Sequence, residues 1–309
     1  MQTSALNISH TREYTALQLK MIEVLAYFDI FNFPVTEREM CNLLGLSSLE
    51  FLQDITPLLN QKSCFRQQDY YSLCMQVNDL LKLRQEREAL AQEYFKQLKK
   101  YARIISNFPF VRGIAVSGSL SKGVMQKDGD IDFFVVTAPG RLWLCRSLLI
   151  LYKKIMLLNS HKYFCLNYFI DTNNLTIIDK NIFTATEIFY LLPVYSADNT
   201  MPEFFKSNTW VSSFYEENTN RSADYFVENN SKAKMILEKL LNGSIGNRLE
   251  KLFHQFTLRK WLSKFGHFNR EKFELTMRST SGVSKHHPRD FQSKVLKMHK
   301  EKVESILSR

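Results

Sequence analysis

Apolar positions recur at helical steps near the start of the chain, at Leu17, Leu19, Met21, Ile22, Val24, Leu25 and Phe28, and predict a helix that ends near Asn32-Phe33-Pro34. Thr36-Glu-Arg-Glu39 reads as a capping box that opens a short helix to Leu44, stopped by Gly45. Ser47-Ser-Leu-Glu50 opens a third helix, with Leu49, Leu52, Ile55, Leu58 and Leu59 on one side and Pro57 expected to kink or shorten it. Residues 63–73, which contain Cys-Phe-Arg-Gln-Gln-Asp-Tyr-Tyr, predict two short strands around a turn.

Three helices followed by a strand pair resemble a winged helix-turn-helix. The third helix, however, offers Glu50, Gln53 and Asp54 and no Lys or Arg before Lys62. That is poor chemistry for phosphate or guanine, so the module reads as a packing or interaction domain rather than a reader of DNA. Residues 81–105 follow as a linking helix. Its Lys96, Lys99, Lys100 and Arg103 are interleaved with Glu86, Glu88 and Glu93 upstream, as on a solvated face.

In the centre of the chain the pattern changes. Ile114-Ala-Val116 and residues 130–136 are short runs of buried-strand type, and residues 142–158 form an apolar stretch interrupted by Arg146, Lys153 and Lys154. This stretch predicts a helix joining two strands, the second being Tyr163-Phe-Cys-Leu-Asn-Tyr-Phe-Ile-Asp171. Residues 181–195 read as a helix capped by Thr184, with Glu187 one turn in, ended by Pro193. Amphipathic helices are expected over 209–214, 232–241, 248–265 and 289–307, and make the C-terminal third largely helical. Between them, Lys285-His-His-Pro-Arg289 reads as a basic loop.

The candidate chemistry lies between the first two central strands. The segment reads Gly113-Ile-Ala-Val-Ser-Gly118-Ser119-Leu-Ser121-Lys122-Gly123, then a turn at Lys127-Asp128-Gly129, then Asp130-Ile-Asp132-Phe-Phe. A glycine closing a strand lets the backbone pass close to a phosphate, to which Ser119 can offer its hydroxyl and its N–H. Alternate residues of a strand share a face, so Asp130 and Asp132 face one way while Ile131 and Phe133 bury on the other. Two carboxylates on one face call for positive charge between them, and a pair of Mg²⁺ ions bridging a triphosphate is the usual occupant.

Gly118, Ser119, Asp130, Ile131, Asp132 and Phe133 resemble the signature of the DNA polymerase β-like nucleotidyltransferase superfamily, Gly-Ser followed after a gap by Asp-hydrophobic-Asp-hydrophobic. The resemblance implies an α+β fold, with a mixed-sheet nucleotidyltransferase core flanked by the N-terminal winged-helix-like module and a C-terminal helical region. It implies that Asp130 and Asp132 hold two Mg²⁺ ions, with Mn²⁺ as the other candidate, and that Gly118 and Ser119 grip the β- and γ-phosphates of an NTP. Ser121 and Lys122 follow that grip directly and are the further candidate nucleotide-binding residues. A third catalytic carboxylate is expected on a later strand. Asp171 is the candidate, with Asn167 and Glu187 as alternatives.

The implied reaction moves a nucleoside monophosphate from an NTP to an RNA, protein or small-molecule acceptor and releases pyrophosphate. The other reading is a DNA-binding or nucleotide-sensing regulator on an inactive transferase fold. Domains are expected at 1–80, 81–105, 106–200 and 201–309.

Composition adjusts this picture in three ways. The net charge is +10, and residues 258–309 carry 13 Lys or Arg against 5 Asp or Glu, so the basic C-terminal region is a candidate nucleic-acid surface. The five cysteines are odd in number and scattered without metal-type pairing, and read as buried thiols of a reducing cytoplasm. No signal segment or membrane span is expected, because residues 1–11 are polar and the longest apolar stretch carries three cations.

Overall fold

A computed structural model describes residues 13–160, 162–216, 224–229 and 231–308. The polar stretch 1–11 and Arg309 lie outside them. The chain divides into two compact units, residues 1–84 with 292–309, and residues 85–291.

In the first unit, helices α1 (Ala16–Asp29), α2 (Glu37–Leu44) and α3 (Ser48–Asn60) each open with a capping box, built by Thr15 with Gln18, Thr36 with Glu39 and Ser47 with Glu50. Gly45 ends α2 in the left-handed conformation, at φ 67°. Strands β1 (Val35–Thr36), β2 (Phe65–Gln67) and β3 (Tyr70–Ser72) form an antiparallel sheet in the order β1-β3-β2. The strand pair expected over 63–73 is therefore present, with a third short strand added. α3 runs through Pro57 to Asn60, and its buried face is Phe51, Ile55 and Leu58, spaced i, i+4, i+7. Leu49 and Leu52 lie off that stripe and are exposed.

Glu39 does two jobs in this unit. Its Oε2 accepts from Thr36 N–H at 2.8 Å as the capping-box acid, and its carboxylate takes both ends of the Arg84 guanidinium, at 2.6 and 2.8 Å. The last helix, α12 (Phe291–Leu307), contributes Lys302, which donates to Asp29 at 2.6 Å.

The helix α4 (Val77–Ser106) leads into the second unit. Its sheet has the order β7-β4-β5-β6-β8, from β4 (Val111–Ser117), β5 (Asp132–Thr137), β6 (Cys165–Asp171), β7 (Leu192–Ser196) and β8 (Val283–Lys285). A four-residue turn of helix, α5 (Gly118–Ser121), follows β4. β4 is antiparallel to β5 and β7, and β8 is antiparallel to β6, while β5 and β6 run parallel. The parallel pair needs a crossover, and α6 (Leu142–Met156) supplies it as the interrupted apolar run predicted. One face of the sheet carries Ile114, Val116, Phe133, Val135 and Phe169 against α4 and α6. The other carries Ala115, Phe134, Val136 and Ile170 against α7 (Ile182–Phe189) and α8 (Thr200–Lys206).

Three expectations change here. α7 is capped by Asn181, whose side chain accepts from Thr184 N–H at 3.0 Å, and it ends at Phe189, so Pro193 lies in strand β7. Proline is tolerated there because β7 is an edge strand, next to a bulge in its pairing with β4. Of the expected basic loop, Lys285 belongs to the edge strand β8, while residues 286–289 lie outside any strand or helix, as expected. Of the five cysteines, Cys64, Cys145 and Cys165 are buried, but Cys41 and Cys74 are only partly so. Thr209–Ser213 is a 3-10 helix, and α9 (Lys232–Leu241), α10 (Ser244–Phe265) and α11 (Arg270–Thr276) complete the helical region. Among the described residues no helix is long and apolar enough to cross a membrane.

The N-terminus of α6 has no side-chain cap from its own Arg141. Glu250 of α10 takes that role from a distance in sequence, accepting from Trp143 N–H at 2.9 Å and Leu144 N–H at 2.8 Å. Helix ends need such acceptors for their first free N–H groups. Replacing Glu250 with Ala is expected to destabilise the second unit by about 1–2 kcal/mol in urea unfolding, the range of a lost cap. Glu250→Gln, which keeps an acceptor oxygen, is expected to cost less than half of that.

Candidate active site

β4 delivers the chain to Gly118, where it turns sharply with φ +71°. A Cβ built there would stand 2.7 Å from Asp132 Oδ2, so the conformation favours glycine and an added methyl would have to displace the carboxylate. The backbone thus passes directly against the carboxylate. Two side chains from α5 and just beyond it tie the turn down: Ser121 Oγ and Lys122 Nζ donate to Gly118 O at 2.9 and 3.1 Å. Ser119 is exposed on the outside of the turn.

Asp132 is the first residue of β5, paired with Ser117 on one side and Cys165 on the other. Asp130 sits in the approach to the strand rather than in it. Its carboxylate nonetheless converges with that of Asp132 and with Cys165 Sγ, so that a donor atom from each of the three lies within 4.8 Å of the others. Asn167 Nδ2 donates to Asp132 Oδ1 at 3.1 Å and to Cys165 Sγ at 2.9 Å, holding both. Burial, then the neighbouring Asp130 charge, push the Asp132 carboxyl up to about 7. Burial and the same carboxylates push the Cys165 thiol up, so it keeps its proton in the metal-free protein.

A third carboxylate approaches from α7. Glu187 Oε2 accepts from Gly118 N–H at 3.0 Å, and Glu187 Oε1 accepts from Lys122 Nζ at 2.8 Å. α7 is anchored by Thr186, whose hydroxyl meets Tyr215 Oη at 2.8 Å. A carboxylate of the chain therefore occupies the N–H of Gly118 and the ammonium of Lys122, two groups within the segment expected to grip a phosphate.

The structure does not bring Asp171 to this cluster. Parallel register aligns Asp132 with Cys165 and Thr137 with Asp171, which puts Asp171 at the opposite end of the strand pair. Its Oδ1 accepts from Asn173 N–H at 3.1 Å and Asn174 Nδ2 at 2.7 Å, closing the turn after β6. Asn167, on the same strand, does reach the site.

The basic segment near the C-terminus spends part of its charge internally. Arg278 and Lys285 both bind Asp179, at 2.9 Å each. His286 and His287 are held neutral near pH 7, each pushed down to about 4 by burial and then by nearby cations. His287 packs its ring 6.2 Å from that of Tyr168, and its Nε2 is buried.

Sequence reasoning does not single out Cys165, and it offers Glu187 as an alternative third group. Cys165 was grouped with scattered thiols, although its alternation with Asn167 along β6 carried the signal. Glu187 was named only as an alternative, because a helix between strands gives no indication of which loop its side chain will meet.

Residues 96–182 match the family model described as a nucleotidyltransferase domain. No curated protein and no solved structure matches the chain. The matched stretch holds the Gly118 turn, both aspartates, α6 and β6, the elements that build the cluster. This segment of the chain is a nucleotidyltransferase domain of the polymerase β-like superfamily.

Proposed function

We propose that the protein transfers a nucleoside monophosphate from an NTP to an acceptor, an RNA, a protein or a small molecule, and releases pyrophosphate. The single observation that carries this reading is the convergence of Asp130 and Asp132 beside the Gly118 turn, inside the matched domain. The donor set fits a divalent cation, since a carboxylate oxygen of Asp130 and one of Asp132 lie within 4.8 Å of each other. Such an ion would supply neutralisation of triphosphate charge when bound.

The residues of the chain then have distinct tasks. Asp130 and Asp132 hold the cation, and Asn167 fixes the Asp132 carboxylate in its orientation. Gly118 N–H and Lys122 Nζ donate to phosphate oxygens of the NTP, in the positions where they now donate to Glu187. The Ser119 hydroxyl is placed on the exposed side of the same turn. Ser121 supports the turn through Gly118 O rather than facing the substrate. The acceptor hydroxyl gives its proton to solvent as its oxygen attacks the α-phosphorus, a new P–O bond forms, and the bond from the α-phosphorus to the α,β-bridging oxygen breaks, that oxygen and its electron pair leaving with pyrophosphate. Positioning and charge stabilisation of this kind carry most of the catalysis in phosphoryl transfer.

The first unit is proposed as an interaction module of winged-helix type. The exposed side of α3 presents Glu50 and Gln53, which favours a protein contact over duplex DNA.

Label transfer from an α-labelled NTP, assayed with cell extract as acceptor source, is expected to fall at least 100-fold in Asp130→Ala and Asp132→Ala. Gly118→Ala is expected to do the same while both aspartates remain, because the added methyl meets Asp132. Transfer undiminished in either aspartate variant sinks the reading.

Glu187→Gln removes the charge that competes for Gly118 and Lys122. A non-hydrolysable NTP analogue is expected to bind that variant roughly tenfold more tightly in calorimetry, a difference of about 1.4 kcal/mol.

The raised Asp132 carboxyl makes the metal-free protein pH-sensitive. Between pH 3.8 and about 7 the folded state keeps a proton that the unfolded state has lost, so stability falls as pH rises through that window. The total is on the order of 2–4 kcal/mol. In chelator, thermal melts of Asp132→Asn are expected to lose this slope, and added divalent cation to restore stability to the parent protein above pH 7.

A further inference from the structure

We propose that Cys165 completes the carboxylate pair as a sulfur ligand, so that the site takes a thiophilic divalent ion such as Zn²⁺ or Co²⁺ in preference to Mg²⁺. This rests on the cation-binding role given above to Asp130 and Asp132. Among the described residues, Asp130, Asp132 and Cys165 are the one group of three metal-ligating side chains whose donor atoms converge, all within 4.8 Å. Asp132 and Cys165 are register partners on two parallel strands, so their approach is set by backbone pairing, and Asp130 lies two residues ahead of Asp132 in the loop that enters β5.

The chemistry of the donor set separates one class of ion from another. Mg²⁺ asks for near-octahedral oxygen, while thiolate selects Zn²⁺ and other softer ions. Oxygen donors that would shift the balance back to Mg²⁺ are engaged elsewhere: Asp171 closes a turn at the far end of β6, and Glu187 is paired with Lys122 and Gly118. Where a third acid would stand on β6, the strand instead presents Cys165 and Asn167. The Asn167 amide donates to both Asp132 Oδ1 and Cys165 Sγ, and so orients an oxygen and a sulfur ligand together. Cys165 is 3% exposed, which keeps bulk water from competing for the sulfur. On binding, the S–H bond gives its proton to solvent and the sulfur lone pair takes the metal. No change of oxidation state is involved.

The test is a titration of the metal-free, full-length protein with Co²⁺. A near-ultraviolet sulfur-to-cobalt charge-transfer band is expected, displaced by Zn²⁺ and absent in Cys165→Ser and Cys165→Ala. Co²⁺ affinity in both variants is expected to fall by more than about tenfold, beyond the smallest loss seen for an outer-shell partner, while Mn²⁺ affinity stays the same. Cadmium NMR of the unsubstituted protein gives a readout independent of any variant, with a resonance deshielded by sulfur. No Cys165-dependent band, or an oxygen-only cadmium shift, overturns the sulfur ligand and leaves the carboxylate site standing. If instead Asp132→Asn binds Co²⁺ and Mn²⁺ as the parent does, the carboxylate site itself fails.

Discussion

The parallel pairing of β5 with β6 is the constraint from which the rest of the site follows. It sets Asp132 opposite Cys165, and with them Asn167, at the end of the sheet where β4 turns at Gly118. A shift of one residue in that register would turn Asp132 into the apolar layer against α6 and bring Phe133 out in its place. The apolar layer prevents this, because Phe133, Val135 and Phe169 are buried on the opposite face. Burial of the core and placement of the carboxylate are therefore one event. The crossover helix α6 makes the pairing topologically accessible, and Glu250 secures the start of that helix from α10.

Charge at the site is held out of balance. Asp130, Asp132 and Glu187 gather around a single turn, with Lys122 as the neighbouring cation that pairs with one of them. The chain accepts this by protonating Asp132 more readily than an exposed aspartate and by lending Glu187 the donors of the Gly118 turn. An arrangement that costs stability in isolation is suited to one that receives a cation and a polyanion together. The carboxylate of Glu187 is the local measure of this, since it accepts from both Gly118 N–H and Lys122 Nζ.

Elsewhere the chain resolves its charges internally. Asp179 collects Arg278 and Lys285, and Glu238 receives the guanidinium of Arg112 at 2.8 and 3.0 Å. Lys234 lies buried and donates to Ser106 O, Val111 O and the Tyr195 hydroxyl, its ammonium pushed down to about 8 mainly by burial. These contacts stitch α9 and the C-terminal segments to the sheet. They also mean that part of the basic excess counted in the sequence is committed to packing.

Local signals were enough for the strands that frame the motif, the α6 crossover and the caps of α2 and α3, because each depends on residues within a few positions of one another. The Gly-Ser turn and the two aspartates were legible for the same reason. Pro193 misled the reading of β7, since an edge strand forgives a residue that a helix end also favours. The third group at the site lay beyond local reach: Asp171 and Cys165 share one strand, and only its pairing decides which end meets Asp132. Glu187 is brought to Gly118 from 69 residues away by the packing of α7. Sequence periodicity determines which face a side chain occupies, whereas the position along a strand and the partner across space are decided by long-range pairing of buried surfaces.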